Sequence, residues 1–190
     1  EERDKKTIDA ISDYDCKIIY QNQKGYGDAL IEGINSVSSK YFCIFNADGS
    51  FDPSELNLML EKINKDNYDF IFGSRYELNS GSDDDTILTK IGNYIFTKIG
   101  NIFFNIEITD ILYTYVVGNT FKAKKLNLKQ KDFRFCVELP IKAHKNNMKL
   151  GTVNCYERKR IAGKKKVNAF KDGYLILSHM IKLFFEKKWK

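Results

Sequence analysis

The chain has 190 residues, of which 43% are hydrophobic and 29% are charged, a balance that predicts one compact domain with its own core. The net charge is +6 at pH 7, and residues 157–190 carry eleven Lys or Arg against three Asp or Glu, so the basic character belongs to the C-terminal part. No signal peptide opens the sequence, and no apolar run approaches the roughly 20 residues of a membrane-spanning helix, which argues against a spanning protein.

The cysteine and histidine residues argue against a disulfide framework and against a zinc site. The cysteines are scattered without a CxxC pair, at Cys16, Cys43, Cys136 and Cys155. Only two histidines, His144 and His179, are present, and they lie far apart in the sequence. We therefore expect reduced, mostly structural thiols in a cytosolic protein.

Predicted strands and helices alternate along the chain. CKIIYQN (16–22) predicts a strand, and a helix follows from about Tyr26 to Val37. YFCIF (41–45) has the length and composition of a buried strand, residues 52–55 have the chemistry of a helix start with an Asp cap, and YDFIFGSRY (68–76) predicts another strand. Helical spacing follows the cap at Leu56, Met59, Leu60 and Ile63. The alternation predicts an α/β fold with a mostly parallel sheet flanked by helices.

Polar side chains follow two of these strands directly. FNADGS continues the YFCIF strand, and GSRY ends the strand at 68–76. In open α/β sheets, ligands bind beyond the carboxyl ends of the strands. A turn held by Asx-type hydrogen bonds is the structural alternative for Asp48 and Ser50, while Asp52 is chiefly a helix cap.

At this point the sequence resembles the family two glycosyltransferases of the GT-A fold, and within them the dolichol- or polyprenyl-phosphate sugar transferases. Several segments match in the family's order: QNQKGYGDALIEGI, FNADGS with DPSE, FGSRY, TDILYTYVVGNTF, FCVELPIKAHKNNMKL and YERKRIAGKKKV. Two features depart from the pattern. The chain begins at EERDKKTIDAI, a predicted helix, without the family's first strands, so we expect an N-terminally truncated domain. Asn46 stands where the family usually has the first Asp of its DxD motif.

The resemblance implies a nucleotide-diphosphate sugar donor bridged by Mg²⁺ or Mn²⁺. Asp48, with Asn46 and Ser50, is expected to flank the metal, and one carboxylate in place of two predicts weaker metal binding. Arg75 is expected to face the diphosphate, with a surface salt bridge as the alternative. Lys24, in the Gly-containing turn, is also assigned to the donor.

The acceptor decides whether a base is required. A sugar hydroxyl must lose a proton, and Glu138 is the candidate base, with a helix-start carboxylate as its structural alternative. A lipid phosphate is already ionised and needs cations, which the resemblance assigns to Arg158 and Lys166. Asp110 matches a family residue near the sugar site. The structural alternative for the basic segment is a solvated run of charges. Nucleic-acid binding is a further rival, but the segment lacks the interleaved aromatic residues on which bases stack.

Two amphipathic stretches indicate where a lipid acceptor would meet the protein. Residues 87–105 and the C-terminal helix predicted at 169–190 combine apolar faces with Lys, and the second ends in Trp189. Such helices fit a membrane interface, with packing on the sheet or on a partner subunit as the alternative. We predict a glycosyltransferase domain (1–168) and a basic amphipathic helix (169–190), peripheral at the cytosolic membrane face. It would move a sugar to polyprenyl phosphate. The rivals are a hydroxyl-acceptor transferase and a non-catalytic, membrane-associated relative, because the shortened domain lacks parts that bind donor in the family.

Overall fold

The computed structural model describes residues 2–163 and 165–186. Seven helices lie within these residues: α1 (Glu2–Ala10), α2 (Tyr26–Ser36), α3 (Glu55–Lys65), α4 (Ile87–Phe104), α5 (Thr120–Lys125), α6 (Phe135–Lys145) and α7 (Ala169–Phe185). The strands within them are β1 (Tyr41–Ile44), β2 (Phe70–Ser74), β3 (Gly81–Ser82), β4 (Val116–Asn119), β5 (Leu150–Asn154) and β6 (Tyr156–Glu157). Lys164 of the basic run, and Lys187, Lys188 and Trp189 of the predicted C-terminal helix, lie outside the described residues.

The main sheet has four strands in the order β1-β4-β2-β5. β4 runs antiparallel to β1 and β2, while β5 is parallel to β2. Three strands therefore point the same way and one runs against them. The predicted α/β fold is confirmed, as a mixed sheet flanked by helices. β3 and β6 form a separate parallel pair beside it.

The strand predicted at 16–22 is wrong. These residues have no regular secondary structure, and the apolar side chains of Ile18, Ile19 and Tyr20 are exposed. A strand is stable only where a neighbour satisfies its backbone hydrogen bonds, and no strand among the described residues pairs with this segment.

The sheet has a hydrophobic core on each face. Alternation along β2 sends Phe70 and Phe72 to the face covered by α6 and α7, and Ile71 to the face covered by α3. The apolar stripe predicted on α3 is confirmed, since Met59 and Ile63 are fully buried there. All five residues of β2 are buried, as expected for a central strand.

Helix α4 attaches to the domain through a set of polar side chains, beside Phe96, Ile99 and Phe104, which pack against the core. Asn93 donates to the carboxylate of Asp110 at 2.7 Å, and Thr97 accepts from the N–H of Ile111 at 3.2 Å. Gly100 allows close approach, because a Cβ there would lie 2.9 Å from Ile111 Cδ1. The apolar side is left largely uncovered at Ile87, Ile91, Tyr94, Ile95, Ile102 and Phe103.

Helix α7 packs beside α4 and α6 and extends this uncovered surface. Ile176, Met180 and Leu183 are buried in the core, whereas Ile181 and Phe185 are exposed. We call the exposed apolar side chains of α4 and α7 together the apolar face. Among the described residues, no helix is both long enough and apolar enough to cross a membrane.

Candidate active site

The turn that follows β1 holds Asp48 in a fixed orientation. Its Oδ1 atom accepts hydrogen bonds from the backbone N–H and the hydroxyl of Ser50, at 3.0 and 2.7 Å. Gly49 between them has a φ of 83°, in the left-handed region that favours glycine. Ser50 is buried, so its hydroxyl orients Asp48. Both of these hydrogen bonds go to Oδ1 and leave the second oxygen, Oδ2, for other partners.

Residues 158–163 and 165–168, which we call the basic loop, lie beside this turn. The N–H of Arg158 donates to the carbonyl of Ser50 and the N–H of Ile161 donates to the carbonyl of Asp48, both at 2.8 Å. Between them, Nη1 of Arg160 lies 3.5 Å from Oδ2 of Asp48. The loop therefore places the guanidinium of Arg160 over the Asp48 carboxylate.

The predicted phosphate ligand Arg158 points elsewhere. Its Nη2 donates to the carbonyl of Phe51 at 2.7 Å, and its Nη1 lies 3.9 Å from Asp52. Asp52 itself accepts hydrogen bonds from the N–H and hydroxyl of Ser54 at the start of α3, and these hydrogen bonds lower its pKa. Asp52 thus caps the turn that leads into α3, whereas the N-cap position of the helix itself is Ser54.

The segment before α4 supplies an acidic partner for the basic loop. Nε and Nη2 of Arg160 donate to Oδ1 and Oδ2 of Asp84, at 3.1 and 2.7 Å. Nζ of Lys165 lies 3.4 Å from Oδ2 of the same carboxylate. The hydrogen bond from Arg160 holds the pKa of Asp84 below its usual range, although partial burial opposes this. Asp84 is thus an ionised carboxylate shared by two loop cations.

The guanidinium of Arg75 is engaged by carboxylates of the protein. Nε lies 2.7 Å from Oδ2 of Asp110, and Nη1 lies 2.9 Å from Oε2 of Glu157. The ring of Tyr113 lies beneath it, 4.5 Å from centroid to Cζ. Burial disfavours the charge, but Asp110 and Glu157 outweigh it and raise the Arg75 pKa. Arg75 lies at the predicted strand end and is held there as a buried cation.

A cavity of about 740 Å³ joins these groups. Its polar end is formed by Asn46, Asp48, Arg75, Asp84, Asp85, Glu157, Arg160, Lys165 and Lys166. Its apolar wall comes from α4 and α7 and the residues around them, including Leu88, Ile91, Ile95, Phe96, Val167, Phe170 and Ile176. This lining suits a ligand that has a charged head and an apolar body.

The structure brings together four of the predicted site residues on this cavity: Asn46, Asp48, Arg75 and Lys166. Ser50 and Asp110 do not line the cavity but contact residues that do: Ser50 donates to Asp48, and Asp110 accepts from Arg75. Lys24 and Arg158 do not line the cavity. The roles assigned to these residues stay predictions.

Glu138 lies away from the cavity, buried on α6. Its carboxylate accepts from the backbone N–H groups of Lys129 and Gln130, at 3.0 and 2.8 Å, and pairs with Lys142 at 2.7 Å. It thereby fixes the segment before α6. A base must reach the proton that it removes, and this carboxylate faces the protein's own backbone.

Asp84, Asp85 and Cys136 are among the cavity residues that had no predicted role. Asp84 and Asp85 belong to the run Asp83-Asp84-Asp85, an acidic cluster shortly after the GSRY strand end, and that was the available signal. Cys136 gave no signal, because its packing follows from the tertiary fold. Burial raises the pKa of its thiol to about 12, which keeps it protonated.

The donor set fits a divalent cation that is bound mainly through a substrate. No group of three or more His, Cys, Asp or Glu side chains in the described part of the chain converges on a cation site. Asp48 offers one carboxylate oxygen toward the cavity, and Asn46 beside it can offer an amide oxygen. Mg²⁺ commonly uses one or two protein carboxylates, with phosphate and water completing its shell.

The fold and this site define an α/β protein whose polar residues gather beyond the carboxyl end of a sheet strand. The chain belongs to glycosyl transferase family 2, because the sequence model of that family matches residues 2–126. The family level of the resemblance is therefore confirmed, and the polyprenyl-phosphate branch stays a prediction. No curated protein shows significant sequence similarity to the chain.

Solved structures confirm the GT-A fold. Glucosyl-3-phosphoglycerate synthase from Mycobacterium tuberculosis, in complex with Mn²⁺, uridine diphosphate and phosphoglyceric acid, matches with a TM-score of 0.65 at 8% identity, over 87% of this chain and 56% of that one. The same synthase with uridine diphosphate gives 0.60 at 9% identity, over 85% and 56%. A mycobacterial protein gives 0.62 at 8% identity, over 89% and 53%. The chain spans little more than half the length of these structures.

Proposed function

We propose that this protein is a glycosyltransferase that moves a sugar from a nucleotide-diphosphate donor to a polyprenyl phosphate at the cytosolic face of a membrane. The observation that carries the proposal is the cavity, which joins the Asn46–Asp48 turn and the cations Arg160, Lys165 and Lys166 to an apolar wall from α4 and α7. A phosphorylated lipid has the same division into a charged head and an apolar chain.

The donor would lie at the Asp48 end. Asp48 and Asn46 would hold a divalent cation, which neutralises charge on the diphosphate as the sugar–phosphate bond breaks. The hydrogen bonds from buried Ser50 keep that carboxylate oriented without rearrangement. Family membership supports this half of the proposal, as do the uridine diphosphate and Mn²⁺ named in complexes with the mycobacterial synthase.

The acceptor would lie between α4 and α7, with its phosphate near Lys166 and Arg160. A phosphate monoester has a second pKa near ~6 and is largely ionised at neutral pH, so its oxygen can attack without a protein base. The placement of Glu138, which faces backbone N–H groups, supports such an acceptor over a sugar hydroxyl that needs a base. Positioning of the two reacting groups then becomes the chief requirement.

The apolar face supports attachment to a membrane. Its exposed Ile and Phe side chains lie beside the cations of the basic loop, the arrangement by which peripheral helices bind anionic lipid surfaces. A non-catalytic relative would share this surface but would not transfer sugar.

The test is sugar transfer with separate acceptors. Purified protein is incubated with Mn²⁺ and labelled UDP- or GDP-sugars, together with vesicles that contain a polyprenyl phosphate, with 3-phosphoglycerate, or without an acceptor. We expect label in the organic phase only when the lipid phosphate is present. Label transferred only to 3-phosphoglycerate would contradict the lipid acceptor, and vesicle binding without any transfer or hydrolysis would indicate the non-catalytic relative.

A further inference from the structure

Arg160 and Lys165 converge on the carboxylate of Asp84 as cations converge on a bound phosphate. The guanidinium of Arg160 makes two parallel hydrogen bonds to the two carboxylate oxygens, at 3.1 and 2.7 Å. Lys165 adds its ammonium group 3.4 Å from Oδ2 and donates to the backbone carbonyl of Asp84. Bidentate guanidinium contacts of this kind recognise carboxylates and phosphates alike.

The backbone around Asp84 is also held by contacts that do not involve these cations. The N–H of Asp84 donates to Oγ of Ser82 at 3.2 Å, and the preceding N–H, of Asp83, donates to the carbonyl of Glu157 at 2.9 Å. The N–H of Asp85 also donates to Oγ of Ser82, at 2.9 Å. These contacts hold the backbone of the acidic segment, and with it Asp84, at the cavity wall.

The backbone of the basic loop is fixed as well. Its hydrogen bonds at Arg158 and Ile161 anchor it to the turn on both sides of Arg160. The side chain of Arg160 keeps 23% of its surface exposed, against 9% for Asp84, and can change partners while the backbone stays. Arg160 thus lies between two carboxylates, with Asp84 as the near partner and Asp48 at 3.5 Å.

We propose that Asp84 is an internal counter-ion that occupies Arg160 and Lys165 until a substrate phosphate displaces it. The inference rests on the proposed function, which supplies the phosphate, either of the donor or of the acceptor. In the empty protein, Asp84 neutralises the loop cations at the cavity wall. On binding, the phosphate takes over the contacts of Arg160 and Lys165, and the Asp84 carboxylate is left to solvent and its own turn.

If Asp84 competes with phosphate for the cations, removing its charge should strengthen phosphate binding. If Asp84 instead supports the site, the same change should weaken phosphate binding. Removal of the Asp84 charge frees two cations, so the Asp84→Asn variant should bind inorganic phosphate more tightly than the wild type. We expect a dissociation constant about tenfold lower, the effect of one charge-assisted hydrogen bond. Arg160→Gln should weaken phosphate binding. In the Arg160→Gln background, Asp84→Asn should give much less gain, because the main competing partner is gone.

The experiment is isothermal titration calorimetry on the whole chain, with circular dichroism to verify folding. The control is Asp132→Asn, which alters another bidentate Arg–Asp pair, with Arg134 at 2.7 Å, and does not line the cavity. It should leave phosphate affinity unchanged. Equal or weaker phosphate binding by Asp84→Asn would overturn the proposal, because it would make Asp84 a support of the site.

Two further titrations separate the sources of the phosphate. Farnesyl phosphate stands for the acceptor, and uridine diphosphate with Mg²⁺ stands for the donor. A gain from Asp84→Asn with either probe supports the displacement and assigns it to that substrate, whereas no gain with both overturns it. None of these titrations requires sugar transfer, so a failure of the proposed function is seen separately.

A measurement on the wild type covers the case in which Asp84→Asn does not fold. Phosphate should shift the Nε–H resonance of Arg160 in a ¹⁵N spectrum and leave that of Arg134 in place. An Arg160 resonance that stays unchanged at saturating phosphate would overturn the proposal.

Discussion

Nε of Arg75 lies 2.7 Å from Oδ2 of Asp110, and the two side chains are 9% and 0% exposed. Asn93 of α4 also donates to this carboxylate, so one buried ion pair fixes both a strand end and a helix. Removing one partner of such a pair leaves an uncompensated buried charge.

The first prediction concerns stability. Asp110→Asn should lower the free energy of unfolding by about 3 kcal/mol, at the lower end of the usual range because Arg75 keeps Glu157 as a partner. Urea denaturation measures this. Asp132→Asn, in a partly exposed pair, should cost less than about 1 kcal/mol. Equal losses in the two variants would contradict the structural role of the buried pair.

Asp48 and Asn46 provide the second prediction, on transfer by the active enzyme. Asp48→Ala should reduce the rate by about 10²–10³, because one charge-stabilising interaction is lost, while the fold survives. Asn46→Asp should tighten Mn²⁺ binding in the presence of uridine diphosphate, measured by electron paramagnetic resonance. Near-native turnover of Asp48→Ala with unchanged metal dependence would refute the assignment.

The third prediction follows from His179, a buried residue whose Nε2 has no partner among the described residues. Burial lowers its pKa in the folded state, and the charge of Glu138 only partly opposes this. Below about pH 6.5 the unfolded chain therefore binds a proton that the folded protein resists. As the pH is lowered through this range, the free energy of unfolding should decrease by up to about 1.4 kcal/mol per pH unit, until the folded-state pKa is reached.

Denaturation at pH 7, 6 and 5 checks this dependence. His179→Phe should flatten it between pH 7 and 5, whereas His144→Gln should retain it. Identical profiles for the wild type and His179→Phe would show that other groups cause the loss.

The apolar face carries the fourth prediction. Ile87, Ile102 and Phe185 are exposed, so their combined replacement by Ser should change the free energy of unfolding little. Binding to vesicles with anionic lipid should weaken at least about tenfold, since three apolar side chains no longer enter the interface. The matched control replaces exposed apolar residues elsewhere: Leu58, Leu78 and Phe121. A similar loss of vesicle binding in the control would remove the apolar face as the attachment surface.

The sequence predicted correctly those elements that are marked by a periodic pattern or by a change of composition within a few residues. Met59 and Ile63 recur at helical spacing, and both are buried as the pattern indicates. The placement of Asp48 at a strand end followed from the change of composition after YFCI. In contrast, residues 16–22 carry a strand-like pattern, but strand formation depends on a partner that no local pattern reports.

Long-range contacts explain what the sequence could not reveal about the site. Glu138 meets the backbone of Lys129 and Gln130 only after α6 has packed, so its burial was invisible beforehand. Asp84 meets Arg160 across 76 positions of the chain. The family pattern favoured Arg158 as the phosphate ligand, and only the path of the basic loop shows that Arg160 lines the cavity and Arg158 does not.

In most helices of a folded domain, apolar positions tolerate substitution less well than polar positions do. On helix α4, the exposed apolar positions are the tolerant ones. Its attachment depends on Asn93, Thr97 and Gly100, whose replacements would lose hydrogen bonds or close approach. Ile87 and Ile102 on its exposed side contact little of the domain and could exchange for Leu, Val or Phe at small cost. Among diverging descendants of this chain, the polar stripe of α4 should therefore change slowly, and its most exposed hydrophobic positions, such as Ile87 and Ile102, should drift.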